Sequence, residues 1–503
     1  MTAPSPVTPA PPADLPGTLG ALRAAGHAYR TVKQELRDNL LARMRSGADR
    51  FPGIVGYDDT VLPEVERALL AGHDMVLLGE RGQGKTRLIR SLVGLLDEWT
   101  PVIAGSVLNE HPLHPLTPSS RALVAEAGDD LPVAWLHRSM RYGEKLATPD
   151  TSVGDLIGDV DPIRIAQGRT LGDPETIHFG LVPRTNRGIF AVNELPDLAE
   201  RIQVALLNVL EERDIQVRGY QLRLPLDLFL VASANPEDYT NRGRIITPLK
   251  DRFGAEVRTH YPVDLDLELA LIRQEADLVA EVPEHVLEVL ARFARAVRES
   301  PSVDPRSGVS ARFAIAAAET VAAAALRRAG LLAAAGTVPP AERLGRAPST
   351  SESDSKVPFL SSEGAVARVG DAVSVTSTLR GKVEFESGEE GREVEILGHL
   401  LRTATAETFR ARLAGLDLSG FTALVDEDAV IETGELVSSA ELLRQVGTVP
   451  GLAKALDRLG LGDAPTPEQV AAGVEFVLEG LHLTRRLGKD VTDSGRTRYG
   501  GRA

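Results

Sequence analysis

The segment GERGQGKTRL, residues 79–88, matches the pattern G-x-x-x-x-G-K-[ST] of a phosphate-binding loop. It follows the apolar run Met75–Leu78, a predicted strand, and precedes a predicted helix, which is the context that the motif requires. In such a loop the glycines let backbone N–H groups face phosphate oxygens, Lys85 reaches the β and γ phosphates, and Thr86 offers its hydroxyl to Mg²⁺. The alternative is a chance match in a glycine-rich turn, and the flanking strand and helix argue against it. The sequence therefore predicts that ATP and Mg²⁺ bind here.

Length and composition limit what else the chain can be. A chain of 503 residues is too long for one compact core, so roughly two to four domains are expected. The 56 basic and 71 acidic residues give a net charge of −15, which makes nucleic acid an unlikely partner. The sequence contains no cysteine, which excludes disulfides, thiolate zinc sites and cysteine nucleophiles and fits a reducing compartment.

The N-terminal segment is not expected to be a secretion signal. Residues 1–17 are rich in proline and alanine and are expected to form a flexible tail. They lack the basic start and apolar run of a secretion signal. The sequence also has no uninterrupted apolar stretch of the roughly 18 residues that a membrane helix needs. We therefore expect a cytoplasmic protein without a membrane segment.

The pattern along the chain predicts an α/β region followed by helices. A helical arm is predicted at residues 18–50 and an α/β core at 51–262. Besides MVLL (75–78), apolar runs predict strands at VIAGSVL (102–108), IFAVNEL (189–195), LFLVASANP (228–236) and EVRTHYP (256–262). Strands that alternate with helices indicate a parallel sheet covered on both faces. The remainder is divided into four parts. A helical region is predicted at 263–335 and a Pro/Ser/acid-rich linker at 336–364. A mostly helical region follows at 365–480 and a basic tail at 481–503.

A second chemical motif lies in GIFAVNELPDL, an apolar strand that ends in Asn193 and Glu194. Glu194 is the expected group to polarise the water that attacks the γ-phosphate. The residue before it is usually an aspartate that holds Mg²⁺ through water. The amide oxygen of Asn193 can accept a hydrogen bond from such a water, but it attracts the cation less. The alternative is a buried strand whose polar end caps the next helix.

The residues after Glu194 extend this pattern. Two alternating runs, DIQV (214–217) and QLRLPL (221–226), predict a β-hairpin. A buried strand then ends at Asn235, and a helix reaches Arg252 in LKDRFG. In this order of motifs the chain resembles the AAA+ ATPases that carry a β-hairpin before the sensor strand, and it is most similar to magnesium chelatase subunit I and the MoxR-type chaperones. The resemblance covers roughly residues 51–330.

The resemblance implies a fold and a set of site residues. It implies a P-loop AAA+ α/β sheet flanked by helices, with a helical lid, a mostly helical C-terminal region and a long insertion at about 101–188. Asn235 would be sensor 1, Arg252 an arginine finger that acts on the neighbouring subunit, and Arg312 sensor 2 at the start of a lid helix. For each arginine a surface ion pair is the alternative. The predicted site residues are catalytic Glu194, Asn235 and Arg252; nucleotide-binding Gly79, Gly82, Gly84, Lys85, Thr86, Leu88 and Arg312; and Thr86 and Asn193 toward Mg²⁺.

Two weaker signals predict a loop and a solvated turn, and neither predicts a metal site. His111 and His114 in HPLHP lie in a segment broken by proline, without a third ligand nearby. The acid-rich GKVEFESGEEGRE (381–393) does not have the spacing of a calcium loop.

Three functions remain open from the sequence. The first is an ATP-driven remodelling or metal-insertion chaperone that forms a homo-oligomeric ring, expected to be a hexamer, with a von Willebrand factor A domain protein as the partner that the resemblance implies. The second is a nucleotide-dependent regulatory or scaffold protein with slow turnover because of Asn193; retention of Glu194 argues against it. The third is a DNA-acting or transcription-activating AAA+ protein, which the net acidity and the lack of a GAFTGA-type loop disfavour.

Overall fold

The structure is a computed structural model. It describes residues 9–160, 177–211, 215–217, 220–222, 224–236, 244–304, 309–334, 364–423, 430–447, 449–462, 464–492 and 496–500. The chain divides into two compact units, Met1–His260 and Tyr261–Ala503. The predicted linker at 336–364 lies, apart from Gly364, outside the described residues.

The first unit contains the predicted strands and the predicted helical arm. Its strands are β1 (Met75–Leu78), β2 (Trp99–Ile103), β3 (Val133–His137), β4 (Tyr142–Leu146), β5 (Gly158–Val160), β6 (Ile177–Phe179), β7 (Gly188–Asn193), β8 (Ile215–Val217), β9 (Tyr220–Leu222), β10 (Leu228–Ala234) and β11 (Ala255–Arg258). Its helices are α1 (Leu19–Ala24), α2 (Val32–Ser46), α3 (Val61–Ala71), α4 (Lys85–Ser91), α5 (Pro118–Ala127), α6 (Val153–Leu156), α7 (Leu181–Arg184), α8 (Glu200–Glu211) and α9 (Thr247–Arg252).

A five-stranded sheet with the order β11-β1-β10-β7-β4 forms the centre of this unit. All four pairings are parallel. Every residue of β1, β7 and β10 is buried, which is why these strands read as continuous apolar runs. Helices α2, α3 and α4 cover one face of the sheet, while α6, α8 and α9 cover the other. The predicted α/β fold with a parallel, two-sided sheet is confirmed.

The structure differs from the sequence prediction at two strands. VIAGSVL was expected in the parallel sheet, but its strand β2 pairs with β3 in a separate antiparallel sheet. The fifth parallel strand is β4, which lies within the predicted insertion at 101–188. Its sequence, YGEKL, is not an apolar run, because an edge strand is only partly buried. Part of the predicted insertion is therefore core.

The predicted helical arm packs directly on the core. Helix α2 begins with a capping box formed by Thr31 and Gln34 and ends at Gly47 in the left-handed conformation. Its apolar side joins the hydrophobic core beneath β1 and β10. Its Glu35 carboxylate accepts two hydrogen bonds of 2.6 Å from the Arg141 guanidinium just before β4. Helix α2 is thus fixed to the sheet by packing and by an ion pair.

We expect substitutions in this ion pair to lower the stability of the first unit strongly. The exposed fraction is 0% for Arg141 and 3% for Glu35, so Arg141→Met would leave an uncompensated buried carboxylate. The expected loss is about 3–5 kcal/mol in the free energy of unfolding. Urea denaturation followed by tryptophan fluorescence measures it in this unit, because both tryptophans of the chain, Trp99 and Trp135, belong to it.

The matched control is Arg23→Met, which removes an exposed ion pair with Asp129. Pairs of this kind contribute about 0–1 kcal/mol. Equal midpoints for the Arg23 and Arg141 variants would contradict the structural role of the buried pair.

The predicted hairpin is present in the first unit. Strands β8 and β9 pair antiparallel, with Val217 opposite Tyr220. Residues 218 and 219 lie outside the described residues.

The segment with His111 and His114 is part of a folded aromatic cluster. The His111 ring stacks on His27 at 5.4 Å between ring centroids, and the His114 ring stacks on Tyr29 at 4.6 Å. Burial, with a further contribution from the charge of Arg187, lowers the pKa of His111 to about 2, so its imidazole is neutral at physiological pH. Packing accounts for these histidines.

The second unit is built on a single hydrophobic core. Its helices are α10 (Leu265–Glu275), α11 (Glu284–Arg298), α12 (Ala311–Ala334), α13 (Val373–Thr378), α14 (Glu393–Arg412), α15 (Ser419–Ala423), α16 (Ser439–Val446), α17 (Leu452–Arg458) and α18 (Pro467–Leu483). Phe293 and Phe313 on α11 and α12 share this core with Phe409 and Phe476 on α14 and α18. The predicted lid and the C-terminal region therefore pack as one body.

The predicted basic tail takes part in this second unit. Strands β12 (Ile431–Thr433), β13 (Lys489–Val491) and β14 (Thr497–Tyr499) form an antiparallel sheet in the order β12-β14-β13. The Arg496 and Arg498 side chains bind the carboxylate of Glu432 at 2.8 Å each. Among the residues that the structure describes, no helix is long and apolar enough to cross a membrane.

Candidate nucleotide-binding site

The loop between β1 and α4 has the backbone that the glycine pattern predicts. Gly82 and Gly84 have φ angles of 77° and 75°, in the left-handed region that glycine adopts without strain. A Cβ atom on Gly79 would come within 1.9 Å of the Thr259 hydroxyl and 2.2 Å of the Gln83 side-chain oxygen. Glycine is thus required at Gly79 by close packing and at the other two positions by backbone conformation.

Lys85 and Thr86 begin helix α4 at the end of this loop. The Lys85 side chain is only 7% exposed. Its ammonium group donates a hydrogen bond to the Gly79 carbonyl oxygen and one of 2.8 Å to the Glu80 carbonyl oxygen. The loop therefore holds this cation against its own backbone, next to the helix N-terminus, where an anionic group is favoured.

Residues that the motif does not contain support the loop from outside. The Thr259 hydroxyl, just after β11, donates to Gln83 Oε1 at 2.7 Å. The Tyr57 hydroxyl lies between the carbonyl oxygens of Gln83 and His260, with the second at 3.0 Å. Burial raises the pKa of Tyr57 to about 12, so it stays a hydrogen-bond donor at physiological pH. We did not predict these residues, because no local pattern in the sequence marks them.

The strand register brings the predicted catalytic residues to the same edge of the sheet as the loop. Leu78 lies opposite Ala234 in the pairing of β1 with β10, and the Gly79 N–H donates to the Ala234 carbonyl oxygen at 3.2 Å. Asn235 follows β10 directly and is 3% exposed. Glu194 follows β7, the next strand of the sheet. Ligands of open α/β sheets bind outside the carboxyl ends of the strands, and these groups meet at that edge.

Glu194 has a conformation that is unusual for a residue other than glycine. Its φ and ψ angles are 55° and 48°, and its N–H donates to the Ser233 hydroxyl at 3.3 Å. Such a conformation costs on the order of 1–3 kcal/mol, and strained residues of this kind cluster at active sites and ligand-binding sites.

Asn193 is buried and bonded on both sides. The Ser233 hydroxyl donates to its side-chain oxygen at 3.1 Å, and its amide nitrogen donates to Glu144 Oε1 at 2.6 Å. A carboxylate of strand β4 thus lies in direct contact with the position where the family pattern has an aspartate. We did not predict Glu144, because we assigned its strand to the insertion.

The Glu144 carboxylate is held in its charged form. Partial burial opposes ionisation, but hydrogen bonds from Arg90, Tyr142 and Asn193 outweigh it and keep the pKa of Glu144 below its usual value. Arg90 on α4 binds both carboxylate oxygens, at 2.8 and 3.0 Å, and the Tyr142 hydroxyl donates at 2.9 Å.

The remaining predicted residues have different positions. The Arg252 side chain, at the end of α9, is 47% exposed and forms an ion pair with Glu211. Arg312 is exposed and belongs to the second unit, in the first turn of α12. The Leu88 side chain is 1% exposed in the hydrophobic core and its N–H bonds to the Gly84 carbonyl oxygen. Because the side chain and the N–H of Leu88 both have partners within the fold, this residue contributes to packing.

A cavity of about 320 Å³ opens beside the loop. It is lined by Leu78, Gly79, Glu80, Gln83, Pro236, Lys250, Glu256, Arg258 and Thr259. The loop backbone, two cationic side chains and two glutamates thus border one space at the carboxyl edge of β1.

The oxygen donors around the loop fit Mg²⁺. The Thr86 hydroxyl, the Asn193 amide oxygen and the Glu144 carboxylate are hard ligands of the kind that this cation prefers, directly or through water. Within the described part of the chain, no group of three or more His, Asp or Glu side chains is arranged to hold a metal ion by itself. A cation here would therefore need oxygen atoms from phosphate and water as well.

Comparisons with known proteins find magnesium-chelatase subunits among the relatives of this chain. No protein-family model matches this chain. The chain is 29% identical over 233 residues to the chloroplast magnesium-chelatase subunit ChlI-1 of Arabidopsis thaliana, a match that covers 45% of this chain and 51% of the relative. It is 27% identical over 239 residues to the magnesium-chelatase subunit ChlI of a Nostoc species, covering 46% of this chain and 60% of the relative. The chain thus spans between 51% and 60% of the length of these relatives.

Among solved structures, the chain is similar to a model of the complex between subunits BchI and BchD of magnesium chelatase. The identity is 24%, the match covers 57% of this chain and 88% of that chain, and the TM-score is 0.34. It is also similar to the RuvB Holliday junction branch migration motor of Thermotoga maritima. The identity is 12%, the match covers 92% of this chain and 95% of that chain, and the TM-score is 0.34. The resemblance of this chain to magnesium chelatase subunit I is confirmed by the sequence relatives. The resemblance to MoxR-type chaperones stays a prediction.

Proposed function

We propose that this chain is an ATP-hydrolysing AAA+ motor similar to magnesium chelatase subunit I. The observation that carries the proposal is the meeting of the phosphate-binding loop, Glu194 and Asn235 at one edge of a parallel sheet. A loop of this kind alone would support binding only. A carboxylate and an amide beside it add the groups that hydrolysis needs.

Each residue has a role that follows from its chemistry. The backbone N–H groups of the loop and the Lys85 ammonium bind the β and γ phosphates, and Thr86 directs its hydroxyl to the cation. Bound Mg²⁺ would neutralise charge on the phosphate oxygens. Glu194 accepts a proton from the attacking water, and Asn235 orients that water by hydrogen bonding.

The proposal includes an assembly. Arg252 acts as an arginine finger on the nucleotide of a neighbouring subunit, so turnover depends on formation of a homo-oligomeric ring, which we expect to be a hexamer. The exposure of Arg252 supports this, because its surface ion pair with Glu211 contributes only about 0–1 kcal/mol and is readily exchanged. Arg312 senses the nucleotide as part of the lid. The ring remodels a client or inserts a metal ion, together with a von Willebrand factor A domain partner.

A second function is favoured by one observation. Asn193 replaces the aspartate of the family pattern, and its amide is engaged by Glu144. If this lowers turnover strongly, the protein binds ATP as a switch and acts as a regulator or scaffold. The two functions share the binding site and differ in the rate of hydrolysis.

Nucleotide binding is the first test, and Lys85→Ala is the variant for it. Charge-assisted hydrogen bonds contribute about 1.5–3 kcal/mol, so the variant should bind ATP about 10- to 150-fold more weakly. Isothermal titration calorimetry with the slowly hydrolysed analogue AMP-PNP measures this.

Arg87→Ala is the matched control, because it removes an exposed cation from the same helix. The Arg87 side chain donates a hydrogen bond to the Gly53 carbonyl oxygen. Its affinity should equal that of the wild type. Unchanged affinity in Lys85→Ala would rule out the loop as the phosphate site.

A further inference from the structure

Glu144 forms a hydrogen bond with Asn193, although the strand register does not place these two residues opposite each other. In the pairing of β4 with β7, Glu144 lies opposite Ala191, two residues before Asn193. The Glu144 side chain nevertheless reaches along the sheet to the Asn193 amide, at 2.6 Å. The carboxylate is thereby directed toward the carboxyl end of β7, where the predicted catalytic groups are.

Helix α4 shows which side of the site this carboxylate occupies. Arg90 lies four residues after Thr86 on the same helix, so the two share a helical face. Side chains of a helix generally point toward its N-terminus, which for Arg90 is the direction of the turn that carries Thr86. Because Arg90 binds both oxygens of Glu144, the carboxylate lies beside the face of α4 that also carries Thr86.

We propose that Glu144 supplies, from strand β4, the carboxylate that position 193 lacks, and that Asn193 holds it in place toward a nucleotide-bound Mg²⁺. The inference rests on the proposed function, because it concerns the same site. Asn193 then acts as a positioning residue: its oxygen is fixed by Ser233 and its amide fixes Glu144. Arg90, whose side chain is 62% exposed, can exchange its contact with the carboxylate for solvent when a cation approaches.

A purely structural ion pair would predict a different response. An Arg–Glu pair whose arginine is exposed contributes about 0–1 kcal/mol to stability and would not affect the cation. A carboxylate that orients or binds the water shell of Mg²⁺ typically changes metal affinity by about 10- to 100-fold when it is removed. The distinction can be measured without turnover.

The test is AMP-PNP binding to the full chain, titrated by calorimetry with and without Mg²⁺. Glu144→Gln should weaken the Mg²⁺ dependence of binding about 10- to 100-fold, while affinity for AMP-PNP in excess EDTA stays at the wild-type level. Glu66→Gln is the matched control. It removes another arginine-paired glutamate, on α3, whose side chain is 14% exposed, compared with 20% for Glu144, and should change neither affinity.

A charge exchange makes the test specific. The double variant Glu144→Gln/Asn193→Asp moves the carboxylate to β7 and the amide to β4, so it should recover most of the Mg²⁺ dependence that Glu144→Gln loses. Wild-type Mg²⁺ dependence in Glu144→Gln would overturn the proposal. Loss without recovery in the double variant, or equal loss in EDTA, would assign the effect to a disturbed site and overturn it as well.

The result separates this inference from the proposed function. If the wild type binds no AMP-PNP under either condition, the proposed function fails. If the wild type binds, Lys85→Ala binds more weakly, and Glu144→Gln behaves as wild type, only the role of Glu144 fails.

Discussion

Arg252→Ala is expected to lower kcat by about 10³- to 10⁵-fold, with ATP affinity nearly unchanged, which is the effect of an arginine finger. The transition state of phosphoryl transfer spreads negative charge over the γ-phosphate oxygens, and a guanidinium group meets that charge with several donors. Steady-state turnover at saturating ATP and Mg²⁺ measures the loss, and AMP-PNP binding verifies that the nucleotide site is intact.

Two control variants isolate the role of Arg252. Arg201→Ala removes an exposed arginine from α8 and should retain turnover. Glu211→Gln removes the carboxylate that pairs with Arg252 within the chain and leaves the arginine in place, so turnover should also be retained. If Arg252→Ala turns over ATP at the wild-type rate, the arginine is only a surface ion pair.

Mixing experiments test whether Arg252 acts between subunits. In a mixture of Arg252→Ala and Glu194→Gln chains, some interfaces combine an intact Glu194 from one subunit with an intact Arg252 from the other. Activity should then rise above that of either variant alone. No recovery at any ratio would argue against a finger that acts in trans.

Glu194→Gln is expected to lower kcat by about 10²- to 10⁴-fold, the usual contribution of a general base. Glutamine keeps the size of the side chain but cannot accept the proton of the attacking water. Binding of AMP-PNP should persist, since the phosphate-binding groups are those of the loop. Turnover is measured against protein concentration, because an assembled ring predicts a rise in specific activity with concentration.

The matched control for this variant is Glu200→Gln. Glu200 lies in the first turn of α8, the helix that follows β7 and Glu194 in the chain. It should retain turnover. If wild type and Glu194→Gln both bind ATP and hydrolyse it equally slowly, the regulatory function is the better description of this chain.

The sequence determined those features that depend on neighbours along the chain. The spacing of Gly79, Gly84, Lys85 and Thr86 specifies a turn that only glycines permit, and the structure has that turn. The apolar runs of β1, β7 and β10 are long enough to identify buried strands, because both faces of each strand are covered. The polar residues directly after β7 and β10 could therefore be assigned to one edge of a parallel sheet.

Only the tertiary structure decided features that depend on contacts between distant residues. Strand β4 is an edge strand whose sequence is polar, so its membership in the sheet follows from pairing with β7 and from no local pattern. The residues joined by the Glu144–Asn193 contact are 49 apart in the chain, and those of the Glu35–Arg141 pair are 106 apart. A single sequence records local conformational preference and burial period, whereas such contacts arise from the folded arrangement of several elements. That is why the phosphate-binding loop could be read from the sequence and the carboxylate beside Asn193 could not.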